Sequence, residues 1–241
     1  MYSYGRVESP DIRDKNFDVE EVIPDIPMPT KKFWWDNAWW GNQGKTSHCV
    51  VYSWLHWVED GPVIQDRIPD REKPILPPER FYNACQRIDK WPGEEPKYRG
   101  TSVRAGAKIL KSLGIINEYR WAFTVQSMIR TVLTLGPMVV GTKWYAGMEK
   151  PNRRGAITLR GRQRGGHAYI INGVDTKHRF FRIKNSWGRK WGDSGYGYLR
   201  FEDMQKLLSI GGDACIASEI KIRKQPTVMD MNESVERILR S

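Results

Sequence analysis

The sequence predicts an α+β protein with a helical lobe and a β lobe that meet near its middle. Helix-type segments lacking internal Pro fill the first half, and short β-type runs follow Pro137. Helices first and strands second indicate segregated lobes. The chain has 241 residues, enough for one large domain or two packed lobes. An apolar share of 39 %, with 11 Trp and 10 Tyr, supports an ordered core and excludes a disordered chain.

Residues 1–30 are polar and carry Pro10, Pro24, Pro27 and Pro29, which predicts an extended arm lying on the body. After the turn-rich Gly41, Asn42, Gln43 and Gly44, the run CVVYSWLHWVED has no Gly or Pro and stops at Gly61 and Pro62, as a buried helix does. Pro78 and Glu79 open a second helix. Thr101 or Ser102 caps a third that stops at Gly114, and Thr124 opens a fourth that ends at Gly136 and Pro137. Strands are expected at 138–141, 168–174, 179–184 and 196–200. A tail helix is expected with Asp230 as cap and Val235, Ile238 and Leu239 as its apolar stripe. The resulting division is an arm at 1–30, a helical lobe at 31–122, a β lobe at 123–221 and a tail helix at 222–241.

Lys plus Arg outnumber Asp plus Glu by 39 to 28, a formal charge of +11 that favours acidic partners or nucleic acid. The excess is diffuse, and no zinc-finger or RNA-binding motif accompanies it. Its densest part is Lys150, Arg153, Arg154, Arg160, Arg162 and Arg164, expected at the rim of a cleft. Three cysteines without a CxxC indicate neither a disulfide framework nor a zinc ribbon, and fit a reducing compartment. The N-terminus lacks the features of a secretory signal and no apolar run reaches the length of a membrane span. The expectation is a cytoplasmic protein, of a bacterial or virus-infected cell, with no membrane partner.

A thiol nucleophile needs its thiolate populated, and a helix start favours that anion. Cys49 opens the first helix. An imidazole must serve as its base, and a third group must orient that imidazole. His48 is next to Cys49 and points away, His56 lies two turns along the same helix, and His178 sits in a polar turn. His167 remains, placed by Gly165 and Gly166 at the start of a strand.

The motifs Gly41-Asn42-Gln43-Gly44 to Cys49, Gly166-His167-Ala168, and Lys184-Asn185-Ser186-Trp187-Gly188 to Gly195-Tyr196 resemble those of the papain-like cysteine peptidases. They stand in the family's order, with Gln six residues before Cys and Asn eighteen after His, and the resemblance covers roughly residues 40–220. It implies a two-lobed α+β fold, helical lobe plus antiparallel β lobe, with the active-site cleft between them. It makes Cys49 the nucleophile, His167 the acid/base, Asn185 the orienting group and Gln43 the oxyanion donor. Trp187 would shield the His167–Asn185 bond. Gly100, Thr101 and Ser102 would form the cleft wall that binds substrate backbone, and Gly141 and Ala168 would border an apolar specificity pocket. The arm with Pro10-Asp11-Ile12-Arg13-Asp14, the Gly100-Thr101-Ser102 stretch and Gly165-Gly166-His167 resemble those of bacterial and phage members most, and no segment before Gln43 is long enough for the folded inhibitory propeptide of lysosomal members. Lys45 and Val50 depart from the family pattern around the nucleophile.

The implied reaction is hydrolysis of a peptide or isopeptide bond in a peptide or protein substrate, with no metal or organic cofactor. The competing expectation is a repurposed, structural member associating with nucleic acid or a large, viral-type assembly, motivated by the charge and the two tails. Cys85 and Cys215 read as small buried apolar residues. The pairs Trp34-Trp35 and Trp39-Trp40 read as staples that dock the arm.

Overall fold

Helix α1 (Cys49–Asp60) is buried on every face, all its residues except Tyr52 being buried, the polar Ser53, His56, Glu59 and Asp60 included. Its neighbours are α2 (Pro78–Ile88) and α3 (Val103–Ser112). Gly106 lets α3 approach closely: a Cβ there would lie 2.1 Å from the Trp54 ring, whose Nε1 donates to Val103 O at 2.9 Å. Pro at the start of α2 and the Ser102 side chain, which accepts from Ala105 N, set the two helix starts as expected. A computed structural model of the protein describes residues 3–34, 39–60, 73–89, 99–219 and 228–240.

The strands are β1 (Lys31–Phe33), β2 (Ile116–Trp121), β3 (Met138–Tyr145), β4 (Gln163–Asp175), β5 (Phe180–Lys184), β6 (Tyr196–Arg200) and β7 (Asp213–Glu219). They form one antiparallel sheet in the order β2-β7-β3-β4-β5-β6, with β1 paired to β4. Side chains alternate between its faces. Val139, Ala168, Ile170 and Cys215 join the core of α1–α3. Val140, Tyr169, Ile171 and Ala214 join a second core with α4 (Val125–Thr134) and α6 (Phe201–Ser209). A short α5 (Ala146–Glu149) follows β3. The fold is thus α+β with helices against an antiparallel sheet.

The expected lobe boundaries need correction. β1 and β2 fall within 31–122, the expected helical lobe, yet both belong to the sheet. β1 is only three residues long, and β2 is an outer strand whose Glu118 and Arg120 interrupt the apolar pattern. The arm is likewise not extended throughout. Asp11 and Asp18 accept from Arg13 N and Glu20 N and so cap 3₁₀ turns at Ile12–Phe17 and Val19–Glu21. Acidic arm residues meet arginines of the body, Asp14 with Arg104, Glu20 with Arg130 and Glu21 with Arg120.

Helix α7 (Val228–Arg240) begins before Asp230, the expected cap. Met231 and Val235 are buried against the helical core, with Ile238 and Leu239 packed beside them, and Arg80 pairs with Glu236 at 2.9 Å. Trp34 docks through Nε1 to Val132 O at 2.7 Å, and Trp39 stacks on Tyr52. Trp35 lies outside the described residues. No described helix is long and apolar enough to cross a membrane.

Candidate active site

Cys49 is the first residue of α1, which packs against β4, and its sulfur lies close to the backbone of Ala168, Gly5 and Val50. His167 stands on β4 opposite Thr142 of β3. Its Nε2 is 2.9 Å from Asn185 Oδ1, and Ser186 N donates to the same oxygen at 2.8 Å. A backbone N–H can only donate, so this atom is the amide oxygen and His167 Nε2 carries the proton. The basic lone pair is therefore on Nδ1, which is buried and has no hydrogen-bond partner among the described residues. The Trp187 ring lies over the imidazole at 4.6 Å between centroids, and Trp144 closes its edge at 4.7 Å.

Gln43 is positioned by the same loop. Its backbone N donates to Ser186 O at 2.8 Å, and its Oε1 accepts from Ser186 Oγ at 2.6 Å. The Nε2 end must then face the other way, where it donates to Thr46 O at 2.8 Å and Ser3 O at 3.3 Å. Gly188, at φ +73°, brings this loop against Asn42, so the turn at 41–44 and the loop after β5 form one structure.

The other histidines are engaged elsewhere. His56 Nε2 accepts from Gly41 N at 3.1 Å inside the helical lobe, His48 stacks on Tyr82, and His178 Nδ1 bonds Asp175. Cys85 and Cys215 are buried free thiols whose pKa values burial raises well above the usual range.

The first residues of the arm run through this site. Gly5 N and Arg6 N donate to Gly166 O at 3.1 and 3.0 Å, Val7 N donates to Thr101 O at 3.0 Å, and Thr101 N donates to Gly5 O at 2.8 Å. Tyr4 places its ring edge-on to His167 and Trp187 and donates from its hydroxyl to Glu149, which Arg164 also binds at 3.0 Å. The basic stretch 150–164 thus reaches the arm through Arg164. Gly5 is required here, since a Cβ would fall 2.0 Å from Ser47 O.

With the arm in place, Cys49 and His167 are both 0 % exposed. The helix start was expected to lower the thiol pKa. Burial instead pushes it up to about 11, and the three backbone groups and Arg6 only partly offset this. Burial also brings His167 down to about 4, against the Asn185 bond, which raises it. The neutral thiol and neutral imidazole are therefore the favoured forms beneath the arm.

Of the expected cleft wall, only backbone faces the arm. Thr101 contributes N–H and C=O, whereas its hydroxyl donates to Asp89. Ser102 Oγ donates to Asp89 Oδ1 at 2.6 Å and caps α3, and Gly100, at φ +111°, leaves room for Gly5 O. Gly141 pairs with Ala168 as neighbouring strands require, but the space beside it is not apolar: Arg6 fills it and meets Asp213 of β7. Sequence reasoning missed Ser186, Asp89, Asp213 and the arm residues Tyr4 to Arg6. Only Ser186, lying within a recognised motif, carried a local signal.

The family model of papain family cysteine proteases matches residues 92–217, more than half of the chain, including His167 and Asn185. The chain belongs to the papain family of cysteine proteases. Comparison with curated proteins finds no match. Among solved structures, this peptidase is similar to xylellain, a cysteine protease from Xylella fastidiosa, with 19 % identity and a TM-score of 0.70 over 90 % of this chain and 96 % of that one. The bromelain protease from Ananas comosus matches at 16 % identity and TM-score 0.58, over 80 % of this chain and 100 % of that one. Digestive procathepsin L 3 of Tenebrio molitor matches at 16 % identity and TM-score 0.64, over 89 % and 75 %. At such identities these likenesses describe the fold, which the cysteine peptidase shares with them.

Proposed function

We propose that the peptidase hydrolyses peptide and isopeptide bonds through Cys49, His167 and Asn185, with Gln43 completing the oxyanion site. The observation that carries this reading is the orientation of His167: with Nε2 committed to Asn185 Oδ1, the unpartnered Nδ1 is the atom left to accept a proton. His167 Nδ1 takes the proton of Cys49, and the thiolate attacks the substrate carbonyl, forming a C–S bond. The carbonyl oxygen becomes an oxyanion held by Gln43 Nε2 and the Cys49 N–H. As it collapses, the C–N bond breaks and His167 gives its proton to the leaving amine. Water then attacks the thioester, His167 takes its proton, and cleavage of the C–S bond releases the acid and restores Cys49.

Asn185 holds the tautomer, and Trp187 keeps water from its bond to His167. The backbone of Thr101 and Gly166 binds an extended substrate, because those groups already pair with an extended segment of this chain. Such a substrate must displace residues 3–7. The charge of +11 adds a role for an acidic partner at the basic surface, and three unpaired cysteines support a reducing compartment such as the cytoplasm of a bacterial or virus-infected cell. The test is turnover of fluorogenic peptides by the full chain and by Cys49→Ala. Turnover that disappears in the variant supports the reading, and equal turnover by the two proteins contradicts it.

A further inference from the structure

The Arg6 side chain is 2 % exposed, and its guanidinium lies 3.1 Å from Asp213 Oδ2, 2.7 Å from Gly211 O and 3.2 Å from Glu8 Oε1. It reaches this place because Gly141 has no side chain. A Cβ there would fall 2.7 Å from Arg6 Nε and 2.3 Å from Asp213 Oδ1. Gly141 stands on β3 between Ala168 of β4 and Asp213 of β7, so the opening is built into the sheet beside the cleft.

From this geometry we infer that the pocket floored by Asp213 takes a cationic side chain of the peptide substrate, making Asp213 a specificity-determining residue. The inference rests on the assignment of the Cys49–His167 cleft as the substrate site. Of the three groups that meet the guanidinium, Glu8 belongs to the arm and leaves with it. Asp213 and the Gly211 carbonyl belong to the body and remain. Arg6 is also the residue bridged to Thr101, so an extended peptide that replaces the arm presents a side chain at this same opening. Asp213 meets Arg6 in the opening beside Gly141, and a neutral side chain entering it leaves the carboxylate without the partner that Arg6 supplies. An Arg or Lys restores the charge-assisted bonds that Arg6 makes in the resting chain.

The test uses the full chain carrying Cys49→Ala, which removes chemistry, and Arg6→Ala, which empties the pocket. Binding is measured by calorimetry at about 0.15 M salt, where the long-range field of the basic surface is screened. The probes are capped tetra-alanine peptides with Arg at each position in turn, each matched with its neutral isostere citrulline. At one position the Arg peptide is expected to bind at least about tenfold tighter than the citrulline peptide, and adding Asp213→Asn is expected to bring that ratio below about twofold. A ratio below about twofold at every position overturns the inference without requiring any Asp213 variant to fold. A ratio that survives Asp213→Asn overturns the role of Asp213. Binding is read without turnover, so the two assignments fail separately. An Arg preference in a wild-type chain that hydrolyses no peptide contradicts the proposed reaction alone, and hydrolysis without an Arg preference contradicts the pocket alone.

Discussion

Ser186 Oγ donates a 2.6 Å hydrogen bond to Gln43 Oε1, and this bond determines which end of the Gln43 amide meets the cleft. With the oxygen held, only the Nε2 donor is left for an oxyanion. Gln43→Ala is therefore expected to lower kcat by about 10²–10³-fold, the usual loss when one oxyanion donor is removed. Ser186→Ala keeps the donor and frees its orientation, so its loss is smaller. Steady-state kinetics on one peptide checks this order, and a Ser186→Ala loss as large as that of Gln43→Ala speaks against it.

Asn185 acts through His167. Asn185→Ala releases the imidazole from a single tautomer and is expected to lower kcat by about 10²–10⁴-fold, with little change in KM and some activity remaining. Cys49→Ala leaves none. A rise in KM at unchanged kcat would place Asn185 in substrate binding instead.

The arm keeps the thiol and imidazole dry. Gly5→Val puts a side chain against Ser47 O and is expected to expel residues 3–7 from the cleft. Rehydration stabilises both charged forms, so the Cys49 pKa falls from about 11 and the His167 pKa rises from about 4. Alkylation of Cys49 by iodoacetamide at neutral pH should be faster in Gly5→Val, with its pH profile shifted to lower pH. Superimposable profiles for variant and wild type contradict the arm's part in burying the pair.

Glu59, buried near the end of α1, is the basis of a stability prediction. Burial pushes its carboxyl up to about 9, with Asp60 adding to the shift and Lys184 opposing it. The folded chain then holds a proton that the unfolded chain loses near 4.5, so the unfolded state binds fewer protons between those values and stability falls as pH rises. Glu59→Gln removes this titration. Its unfolding free energy in urea should fall less steeply than that of wild type between about pH 5 and pH 8. Equal slopes show that Glu59 is ionised in the fold.

Much of this was legible in the sequence where the signal is local. The run from Cys49 to Asp60 carries its helix in its own composition, and Ser102 and Thr124 cap helices where expected. His167 and Asn185 could be picked out by their motifs. The charged pocket could not, because Asp213 meets Gly141 only through the pairing of β7 with β3, a contact between distant segments. Tyr4, Gly5 and Arg6 read as ordinary polar arm residues, and their fit to Glu149, Ser47 and Asp213 exists only in the folded chain. Strand β2 escaped because Glu118 and Arg120 break its apolar alternation at an outer position.

The central claim, that Cys49 is the nucleophile activated by His167, is tested most directly by locating a covalent adduct. The full chain is incubated with an epoxysuccinyl peptide, and the modified residue is mapped by mass spectrometry in wild type and in His167→Ala. The expected result is a single adduct on Cys49 that forms much more slowly in His167→Ala, with Cys85 and Cys215 unmodified in their buried positions. Equal modification of the three cysteines, or a rate on Cys49 that does not change when His167 is removed, contradicts the account.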